Sequence, residues 1–446
     1  MSSNLNLAEA FQIGEEPELV AFTGAGGKST LMMALAKELP GRVLITTTTR
    51  MFAAQIETAA STLTASICRY PDLALLDDAS AQVQHWIVVG PLLEDKVTGV
   101  PLDLPQQLLA RPDIDIVLVE GDGSKMLPVK APAAHEPALP LGVTLVVPVV
   151  GISALNGRIK DIAHRPQIVA RLLAKQESDQ LTVDDMAALL SHEEGGIKSV
   201  PDTARVIPAI NQVETPGQLQ AARQIARLVL GQPSVQQVVI SRALAEGSVL
   251  EVWKRVTAVV LAAGQSQRMG RSKQLLPWGE TTVLGQTLRN LKESAVHDIL
   301  VVTGAEAAKI EAIAQAEEVP TIHNPIYATG EMLSSLQTAV AQLPQSRTAV
   351  LVMLADQPMV TAPIIDQILG AYARGEGSII APEYNGRRGN PVLIGRSHFA
   401  ELLALPSGAA PRDLLRRHPV TLVQVLNEAV LHDIDNLDDY KLHHPD

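Results

Sequence analysis

The sequence is short of cysteine and of positive charge. Its 446 residues contain one cysteine, Cys68, which excludes an intramolecular disulfide and any metal site built from several cysteines. We expect Cys68 to be a small buried hydrophobe. The formal net charge of -12 argues against a general nucleic-acid binder, whose surface would be basic. Any anionic ligand must therefore be held by local cations and backbone amides.

Long hydrophobic runs are also absent. Residues 1–19 have neither the basic start nor the apolar stretch of a signal peptide. No run reaches the roughly 20 apolar residues that a membrane span requires. The sequence therefore predicts a cytoplasmic protein with no membrane partner and no nucleic-acid partner.

The chain is instead built from short apolar runs that alternate with helical segments. Its 446 residues are too many for one compact core, and its 46% hydrophobic and 19% charged residues are typical of a globular protein. Runs such as "RVLITTTT" and "TAVLVMLADQP" are apolar on both faces, as in strands buried within a parallel sheet. We predict two doubly wound α/β domains, residues 1–250 and 251–446, with the boundary near Leu250.

A glycine-rich loop follows the first predicted strand. In "VAFTGAGGKST" the glycines would let backbone amides approach phosphate oxygens, and the helix that follows favours negative charge at its start. Lys28 would reach the outer phosphates, and the Ser29 hydroxyl would bind Mg²⁺. The P-loop pattern is incomplete because Phe22 occupies its first glycine position, so a tight turn with a surface lysine is the alternative. The candidate nucleotide-binding residues are Gly24, Gly26, Gly27, Lys28 and Ser29.

Two other segments would end near this loop. "DIVLVEGDGSK" places Glu120 and Asp122 at a strand end, where ligands of open α/β sheets bind and where a carboxylate can hold Mg²⁺ through water. Lys125 and Lys130 could meet an anion there, although a polar turn capped by Asp122 would have the same sequence. Residues 46–50, "TTTTR", are either a hydroxyl-rich strand end near this site or a β-prone run.

Two weaker signals lie further along. "INQVE" has the spacing of a guanine-reading loop from Asn211, but Gln212 and Glu214 replace the usual lysine and aspartate. His164 and Arg165 would contact phosphate or form a salt bridge at a helix start.

Residues 15–240 resemble the selenium-dependent hydroxylase accessory proteins of the YqeC type. The resemblance rests on "TGAGGKST", "TTTT", "VEGDGSKMLPVKAPAAHEPALP", "IAHRP" and "IPAINQ". It implies a P-loop-like domain that binds ATP or GTP and acts in molybdenum hydroxylase maturation, but it does not imply a particular reaction.

A second glycine loop opens the other predicted domain. "VVLAAGQSQRMGRSKQLLPWGE", residues 259–280, has a buried strand, a glycine turn and three cations. Arg268 can form paired hydrogen bonds with phosphate oxygens, and Lys273 can reach the α-phosphate. Arg271 is either a third contact or a solvated neighbour. The amides predicted to line a triphosphate belong to Leu261, Ala262, Ala263 and Gly264, with Gly264 allowing a sharp turn.

Carboxylates near this loop would complete a metal site. "AVLVMLADQP" ends an apolar strand in Asp356, a suitable Mg²⁺ ligand. Downstream, "LHDIDNLDDY" offers Asp433 and Asp435 as a second oxygen donor, with an acidic helix cap as the alternative. We predict Mg²⁺ at Asp356 with either Asp433 or Asp435, and Arg268, Lys273 and Asp356 as catalytic residues.

The acceptor substrate would meet a different set of residues. "GRRGNPVLIG" predicts a hairpin whose Gly389, Asn390 and Pro391 form a wall for it, while Arg387 and Arg388 there are anion ligands or exposed turn residues. Ser334 and Ser335 begin a helix, either as caps or as phosphate donors.

Residues 256–442 resemble the MobA-like nucleotidyltransferases and, among them, the molybdenum cofactor cytidylyltransferases. The motifs, in order, are "LAAGQSQRMGRSKQLLPWG", "NP", "GEMLSSLQ", "LADQP", "GNPVL" and "DIDNLDDY". The resemblance implies a Rossmann-like fold of the nucleotide-diphospho-sugar-transferase type. It also implies CTP phosphates at Gly264, Arg268 and Lys273, and Mg²⁺ at Asp356 with Asp435. Residues 436–439 depart from the family's usual Thr-Pro-Glu-Asp, which leaves Asp435 in place.

Three interpretations follow. The first is a cytidylyltransferase that uses CTP and molybdopterin, fused to an accessory NTP-binding domain. Its protein partners would be molybdenum hydroxylases of the xanthine dehydrogenase family or their chaperones. The second keeps nucleotidyl transfer with guanine as the base or another phosphate ester as the acceptor. The third is a cofactor carrier without catalysis, which Asp356 and Asp435 disfavour because a carrier needs no paired Mg²⁺ ligands.

Overall fold

A computed structural model describes residues 5–77, 83–242, 249–264, 272–329, 331–434 and 436–444. Three candidate residues, Arg268, Arg271 and Asp435, lie outside these ranges. The chain forms two compact units, Met1–Trp253 and Lys254–Asp446. Among the described helices, none is long and apolar enough to cross a bilayer.

The first unit is an α/β sheet with helices on both faces. Its strands are β1 (Glu18–Gly24), β2 (Val43–Thr47), β3 (Met51–Phe52), β4 (Ser66–Arg69), β5 (His85–Val89), β6 (Leu92–Leu93), β7 (Lys96–Val97), β8 (Ile116–Glu120), β9 (Val129–Lys130), β10 (Leu145–Gly151), β11 (Ala163–His164), β12 (Arg205–Val206), β13 (Ala209–Asn211), β14 (Gln237–Ser241) and β15 (Val249–Lys254). Its helices are α1 (Leu7–Ala10), α2 (Lys28–Glu38), α3 (Ala53–Leu63), α4 (Ala74–Asp77), α5 (Leu104–Leu109), α6 (Ile159–Ile162), α7 (Pro166–Leu172), α8 (Val183–Ser191) and α9 (Pro216–Val229).

The main sheet of this unit places the glycine loop at its centre. Its order is β15-β14-β13-β10-β1-β8-β2-β5-β4, and β1 runs parallel to both β10 and β8. Successive residues of β1 face opposite ways: Val20 and Phe22 pack with Leu35 of α2, whereas Leu19 packs with Leu104 of α5. Because both faces are covered, the strand is apolar throughout, as the sequence predicted.

Two sequence expectations can be compared directly with this unit. Cys68 on β4 is 1% exposed, which confirms the buried small residue. The boundary expected near Leu250 falls within β15, which forms one edge of the sheet. The segment is therefore part of the sheet, and its residues 249–253 are all buried.

The second unit is a smaller α/β sheet. Its strands are β16 (Val256–Leu261), β17 (Pro277–Trp278), β18 (Thr281–Thr282), β19 (Asp298–Thr303), β20 (Thr321–His323), β21 (Ala349–Leu354), β22 (Ile379–Tyr384), β23 (Arg387–Arg388), β24 (Val392–Gly395) and β25 (Thr421–Gln424). Its helices are α10 (Val283–Glu293), α11 (Ala307–Ala316), α12 (Glu331–Gln342), α13 (Ala362–Ala373), α14 (Phe399–Ala404), α15 (Pro411–Leu415) and α16 (Leu437–His443).

The strand order of this second sheet is β20-β19-β16-β21-β24-β22-β23, with β25 beside β22. The first four strands are parallel, and β24 is antiparallel to β21. The carboxyl ends of β16 and β21 therefore lie at the same edge of the sheet. At this edge the second glycine loop follows β16, and Asp356 follows β21. Both units are mixed α/β folds with parallel sheets, in agreement with the predicted fold class.

Candidate functional sites

The first glycine loop packs directly on the backbone of β10. Its three glycines have positive φ values of 87°, 86° and 102°. A Cβ on Gly24 would lie 2.3 Å from the carbonyl oxygen of Val149, and one on Gly26 would lie 2.1 Å from the amide nitrogen of Gly151. Glycine is therefore required here both by backbone conformation and by close approach.

We expect Gly26→Ala to destabilise the protein by about 2–4 kcal/mol, because both strain and overlap with β10 must be relieved. Urea unfolding followed by circular dichroism measures this change. Gly217→Ala is the matched control: a Cβ on Gly217, in the first turn of α9, meets no heavy atom within 4 Å. Equal stabilities for the two variants would contradict the proposed need for glycine at Gly26.

A distant asparagine also supports the loop. The Asn211 side-chain amide, at the end of β13, donates to the Gly26 carbonyl oxygen at 2.9 Å. Its own oxygen accepts from the Ser241 hydroxyl at 3.0 Å. Asn211 is thus a positioning residue for the loop, a role that sequence reasoning missed because 185 positions separate it from Gly26. The neighbouring Gln212 accepts from Ser153 at 2.6 Å.

Lys28 is buried at the start of α2, so it is not the surface lysine of the alternative interpretation. It is 3% exposed, and its Nζ donates to the Gly24 carbonyl oxygen at 2.7 Å. The same nitrogen lies 3.1 Å from Asp122 Oδ1 and 3.9 Å from Glu120 Oε1. Burial by itself lowers the pKa of Lys28, but the two carboxylates outweigh it and raise the pKa above its usual value. The side chain therefore remains a full positive charge.

Ser29 and the end of β8 bring oxygen atoms together beside Lys28. The Ser29 hydroxyl donates to Glu120 Oε2 at 2.6 Å, and the Gly24 amide donates to Asp122 Oδ2 at 3.0 Å. Burial raises the pKa of Glu120 despite the attraction of Lys28. A hydroxyl and carboxylates of this kind are ligands that Mg²⁺ prefers, so these residues fit the predicted metal.

The basic residues beyond β8 are mostly engaged with acidic groups. Lys130 Nζ lies 3.0 Å from Asp122 Oδ2 and 2.9 Å from Glu136 Oε2, and Arg165 also pairs with Glu136. Although burial opposes the shift, hydrogen bonds from Arg165 and Lys130 lower the pKa of Glu136 to about 2. Of the two alternatives for Arg165, phosphate contact or a salt bridge at a helix start, the structure shows the salt bridge, at the start of α7. Burial and then Lys130 lower the pKa of His164.

A cavity of about 540 Å³ opens beside the loop. It is lined by Lys28, Ser29 and Glu120, by Thr46 and Thr47 at the end of β2, and by Arg50. Lys125 also lines it, with an exposed side chain. Of the two alternatives for "TTTTR", the structure therefore has the strand end near the same site, with Thr46 and Thr47 on β2. The volume is within the range of small-molecule sites.

In the second unit, the fold brings together two of the predicted catalytic residues. Lys273, at the start of a 3-10 turn, forms an ion pair with Asp356, which follows β21. The two side chains are 20% and 11% exposed. The pair thus couples the glycine-loop segment to the carboxyl edge of the sheet, 83 positions later in the chain.

The acidic segment near the C-terminus is hydrogen-bonded to the backbone of Asp356 and to the side chain of Gln357. The Ile434 amide donates to the Asp356 carbonyl oxygen at 3.1 Å, and the Gln357 side chain donates to Asp433 Oδ1 at 2.6 Å. Asp435, which follows Ile434, lies outside the described residues, so the paired Mg²⁺ ligands remain a prediction. Asp356 is an oxygen donor of the kind that Mg²⁺ requires.

The start of the second loop is anchored through its backbone. The Ala262 amide donates to Val302 of β19 at 3.0 Å, and the Ala263 carbonyl oxygen accepts from the Ala305 amide at 3.2 Å. Gly264 has no positive φ, and a Cβ added to it would meet no described heavy atom within 4 Å. A positive φ is therefore not what requires glycine at this position.

Gly389 and Asn390, which are predicted to form a wall for the acceptor substrate, pack against the backbone of Val430. A Cβ on Gly389 would lie 2.3 Å from the Val430 carbonyl oxygen, which also accepts from the Asn390 amide at 2.9 Å. Pro391 begins the buried approach to β24. Arg387 and Arg388 form β23 and are exposed. Their role in substrate binding remains a prediction.

Ser334 lies on α12 within a buried polar cluster. Its hydroxyl donates to the Glu331 carbonyl oxygen at 3.0 Å and accepts from the Asn324 amide at 2.8 Å. The same amide group donates to Ser335 at 3.0 Å. The two serines therefore have structural partners in Asn324, and phosphate binding by Ser334 remains a prediction.

Comparison with known proteins assigns each unit to a family. The family model of the YqeC protein matches residues 20–167, and that of the MobA-like NTP transferase domain matches residues 258–422. An uncharacterized protein YqeC from Escherichia coli K12 is 31% identical over 50% of this chain and 84% of its own length. The molybdenum cofactor cytidylyltransferase of the same strain is 31% identical over 42% of this chain and 93% of its own length. A molybdenum cofactor guanylyltransferase from Rhizobium johnstonii is 31% identical over 38% of this chain and 78% of its own length.

These matches fall on the two glycine loops and their surrounding sheets, and they agree with the two resemblances seen in the sequence. The chain therefore belongs to the YqeC family in its first unit and to the MobA-like NTP transferases in its second, and it is a nucleotidyltransferase.

Proposed function

We propose that the second unit transfers CMP from CTP to the terminal phosphate of molybdopterin, in its free or molybdenum-bound form. The products are the molybdopterin cytosine dinucleotide and pyrophosphate. The observation that carries the proposal is the partly buried ion pair of Lys273 with Asp356 at the sheet edge where the glycine loop begins. Similarity to a molybdenum cofactor cytidylyltransferase over 93% of that protein supports the choice of substrates.

The reaction requires positioning and charge stabilisation more than proton transfer. The acceptor phosphate is already ionised near neutral pH, so its oxygen attacks the α-phosphorus without a general base while the bond to pyrophosphate breaks. Negative charge then grows on the phosphate oxygens. We propose that Lys273, which pairs with Asp356 in the structure, moves to the α-phosphate and stabilises that charge.

Asp356 would hold Mg²⁺, with Asp435 as the proposed second ligand. The bound ion would supply charge neutralisation on the triphosphate. Asp356 suits this role because it is 8% exposed and its backbone is fixed by Ile434. Arg268 is proposed to bind the β- and γ-phosphates, and Leu261, Ala262, Ala263 and Gly264 to supply the loop that faces them.

For the first unit we propose binding of ATP or GTP with Mg²⁺, in support of molybdenum hydroxylase maturation. The support is the arrangement of Lys28, Ser29 and Glu120 at one end of a 540 Å³ cavity. Hydroxylases of the xanthine dehydrogenase family or their chaperones are the proposed partners.

Guanine is the second candidate base. The guanylyltransferase relative supports it, since that protein has the same identity to this chain, 31%, as the cytidylyltransferase. The two bases would differ in a few contacts above the loop, where residues 265–271 are not described.

One assay distinguishes the two bases. Purified protein is mixed with molybdopterin or its molybdenum form, Mg²⁺ and each of CTP, GTP, ATP and UTP, and pyrophosphate release is followed. We expect CTP to be used at least about tenfold faster than GTP, since a few good base contacts are worth one or more kcal/mol. Preferred use of GTP would overturn the cytidylyl assignment, and no turnover with any nucleotide would overturn the proposed reaction.

A further inference from the structure

Two histidines and a glutamate of the second unit lie close together, and none of them belongs to the residues assigned to nucleotide binding. His398 ends a 3-10 turn after β24, Glu401 lies on α14, and His418 follows α15. Each offers a ligand atom, and these atoms all lie within 4.8 Å of one another. Within the part of the chain that the structure describes, this is the one such His/Cys/Asp/Glu group.

The geometry of the group suits a small transition-metal ion. His418 Nε2 lies 2.5 Å from Glu401 Oε2, and the rings of His398 and His418 have centroids 4.5 Å apart. Ligands of a tetrahedral Zn²⁺ ion with bonds of about 2.0–2.2 Å lie roughly 3.4 Å from one another. The atoms therefore need to move by only about 1 Å or slightly more to reach this arrangement. Two histidines and one carboxylate leave a fourth position for water.

Neighbouring side chains already orient the ligands. Ser378 Oγ lies 2.8 Å from His398 Nε2, which leaves Nδ1 of that ring for an ion. Arg417 donates to Glu401 Oε1 at 3.2 Å, which leaves Oε2 facing His418. Outer contacts of this kind fix ring and carboxylate orientation in known metal sites.

The group lies at the edge of the sheet opposite the nucleotide site. Gly395, three residues before His398, pairs with Ala349 at the start of β21, whereas Asp356 follows the end of that strand. Six residues of strand span about 17–20 Å. The two sites also differ in their donor atoms, because imidazole suits Zn²⁺ whereas Mg²⁺ prefers oxygen ligands.

We propose that His398, Glu401 and His418 bind one divalent transition-metal ion of the Zn²⁺ class. The ion would tie α14 and the turn before it to the turn after α15. These two segments are already in contact, because Glu401 lies beside both His418 and Arg417. Because the ion binds the folded arrangement, it would stabilise the second unit.

The test uses the untagged full-length protein, stripped with a chelator and then freed of it. Zn²⁺ is titrated in competition with a chromophoric zinc indicator, and Co²⁺ is added separately to report tetrahedral coordination by its visible absorption. We expect one equivalent of Zn²⁺ to bind and the Tm of the protein to rise. His398→Ala and His418→Ala should each weaken binding by about 100-fold or more and abolish the rise in Tm.

His443→Ala is the matched control, because His443 is a partly buried histidine, like the two in the proposed site, and its ring lies 5.5 Å from that of His432, outside that site. This variant should bind Zn²⁺ as the parent does. His398→Asn and His418→Asn, which retain polar side chains, replace the alanine variants if the metal-free alanine proteins have a lower Tm. No saturable Zn²⁺ binding by the parent, unchanged binding by the site variants, or equal loss in His443→Ala would overturn the proposal.

Discussion

Asp356→Asn should slow nucleotidyl transfer by about 10³-fold or more while the protein remains folded. The substitution keeps the size of the side chain but removes the negative charge proposed to hold Mg²⁺ and to pair with Lys273. Without that charge, the triphosphate loses its main source of neutralisation as pyrophosphate leaves. Pyrophosphate release with CTP, molybdopterin and saturating Mg²⁺ measures the effect, and circular dichroism measures the fold.

Asp438→Asn provides the control for Asp356→Asn. Asp438 is an exposed carboxylate in the first turn of α16, so its loss should leave the rate within about twofold. If Asp356→Asn retained near-normal turnover, Asp356 could not be the metal-binding carboxylate. If both variants lost activity equally, the effect would come from general loss of negative charge and not from one site.

Lys28→Ala should have the second large effect, on both nucleotide binding and stability. Removing the charge deprives a bound nucleotide of its phosphate contact, and we expect ATP or GTP to bind about 100-fold more weakly. It also leaves Asp122 and Glu120 buried with less compensation, because Lys28 lies 3.1 and 3.9 Å from them. Loss of one partner of a buried ion pair typically costs about 3–5 kcal/mol.

Calorimetry with ATP and GTP, in the presence of Mg²⁺ and with saturating CTP to fill the other site, measures the affinity. Urea unfolding measures the stability. Lys37→Ala changes an exposed lysine in the last turn of the same helix and should alter neither quantity. Ser29→Ala removes the hydroxyl that donates to Glu120 but keeps the positive charge of Lys28 beside that carboxylate. It should therefore weaken only Mg²⁺-dependent binding. Unchanged affinity in folded Lys28→Ala would mean that the loop is only a turn.

Much of the fold could be predicted because its signals are local. Strands such as β1 and β21 are continuous apolar runs, and a run of this kind identifies a buried parallel strand wherever it occurs. The glycines of the first loop could be found in the same way. Their positive φ values are a property of the backbone at those positions, and glycine adopts them at little cost.

Local signals are less informative where a residue's partner is distant. The sequence leaves a surface position open for Lys28, yet its Nζ is buried 3.1 Å from Asp122 after the end of β8. It also predicts a cap or a phosphate donor at Ser334, whereas the hydroxyl of that residue lies beside Asn324 on a neighbouring segment. In both cases the residue type is informative, but its surroundings depend on how strands and helices are arranged.

The sequence by itself therefore determined two α/β units, two glycine loops that open onto strand ends, and the carboxylates that follow β8 and β21. The tertiary structure decided that Lys28 is buried between two carboxylates, that Asn211 supports the first loop, and that Lys273 pairs with Asp356. It also brought His398, Glu401 and His418 together. The physical reason is that backbone preferences and strand burial depend on neighbours in the chain, whereas ion pairs and metal ligands depend on the order of strands in the sheet, which brings distant residues to the same edge.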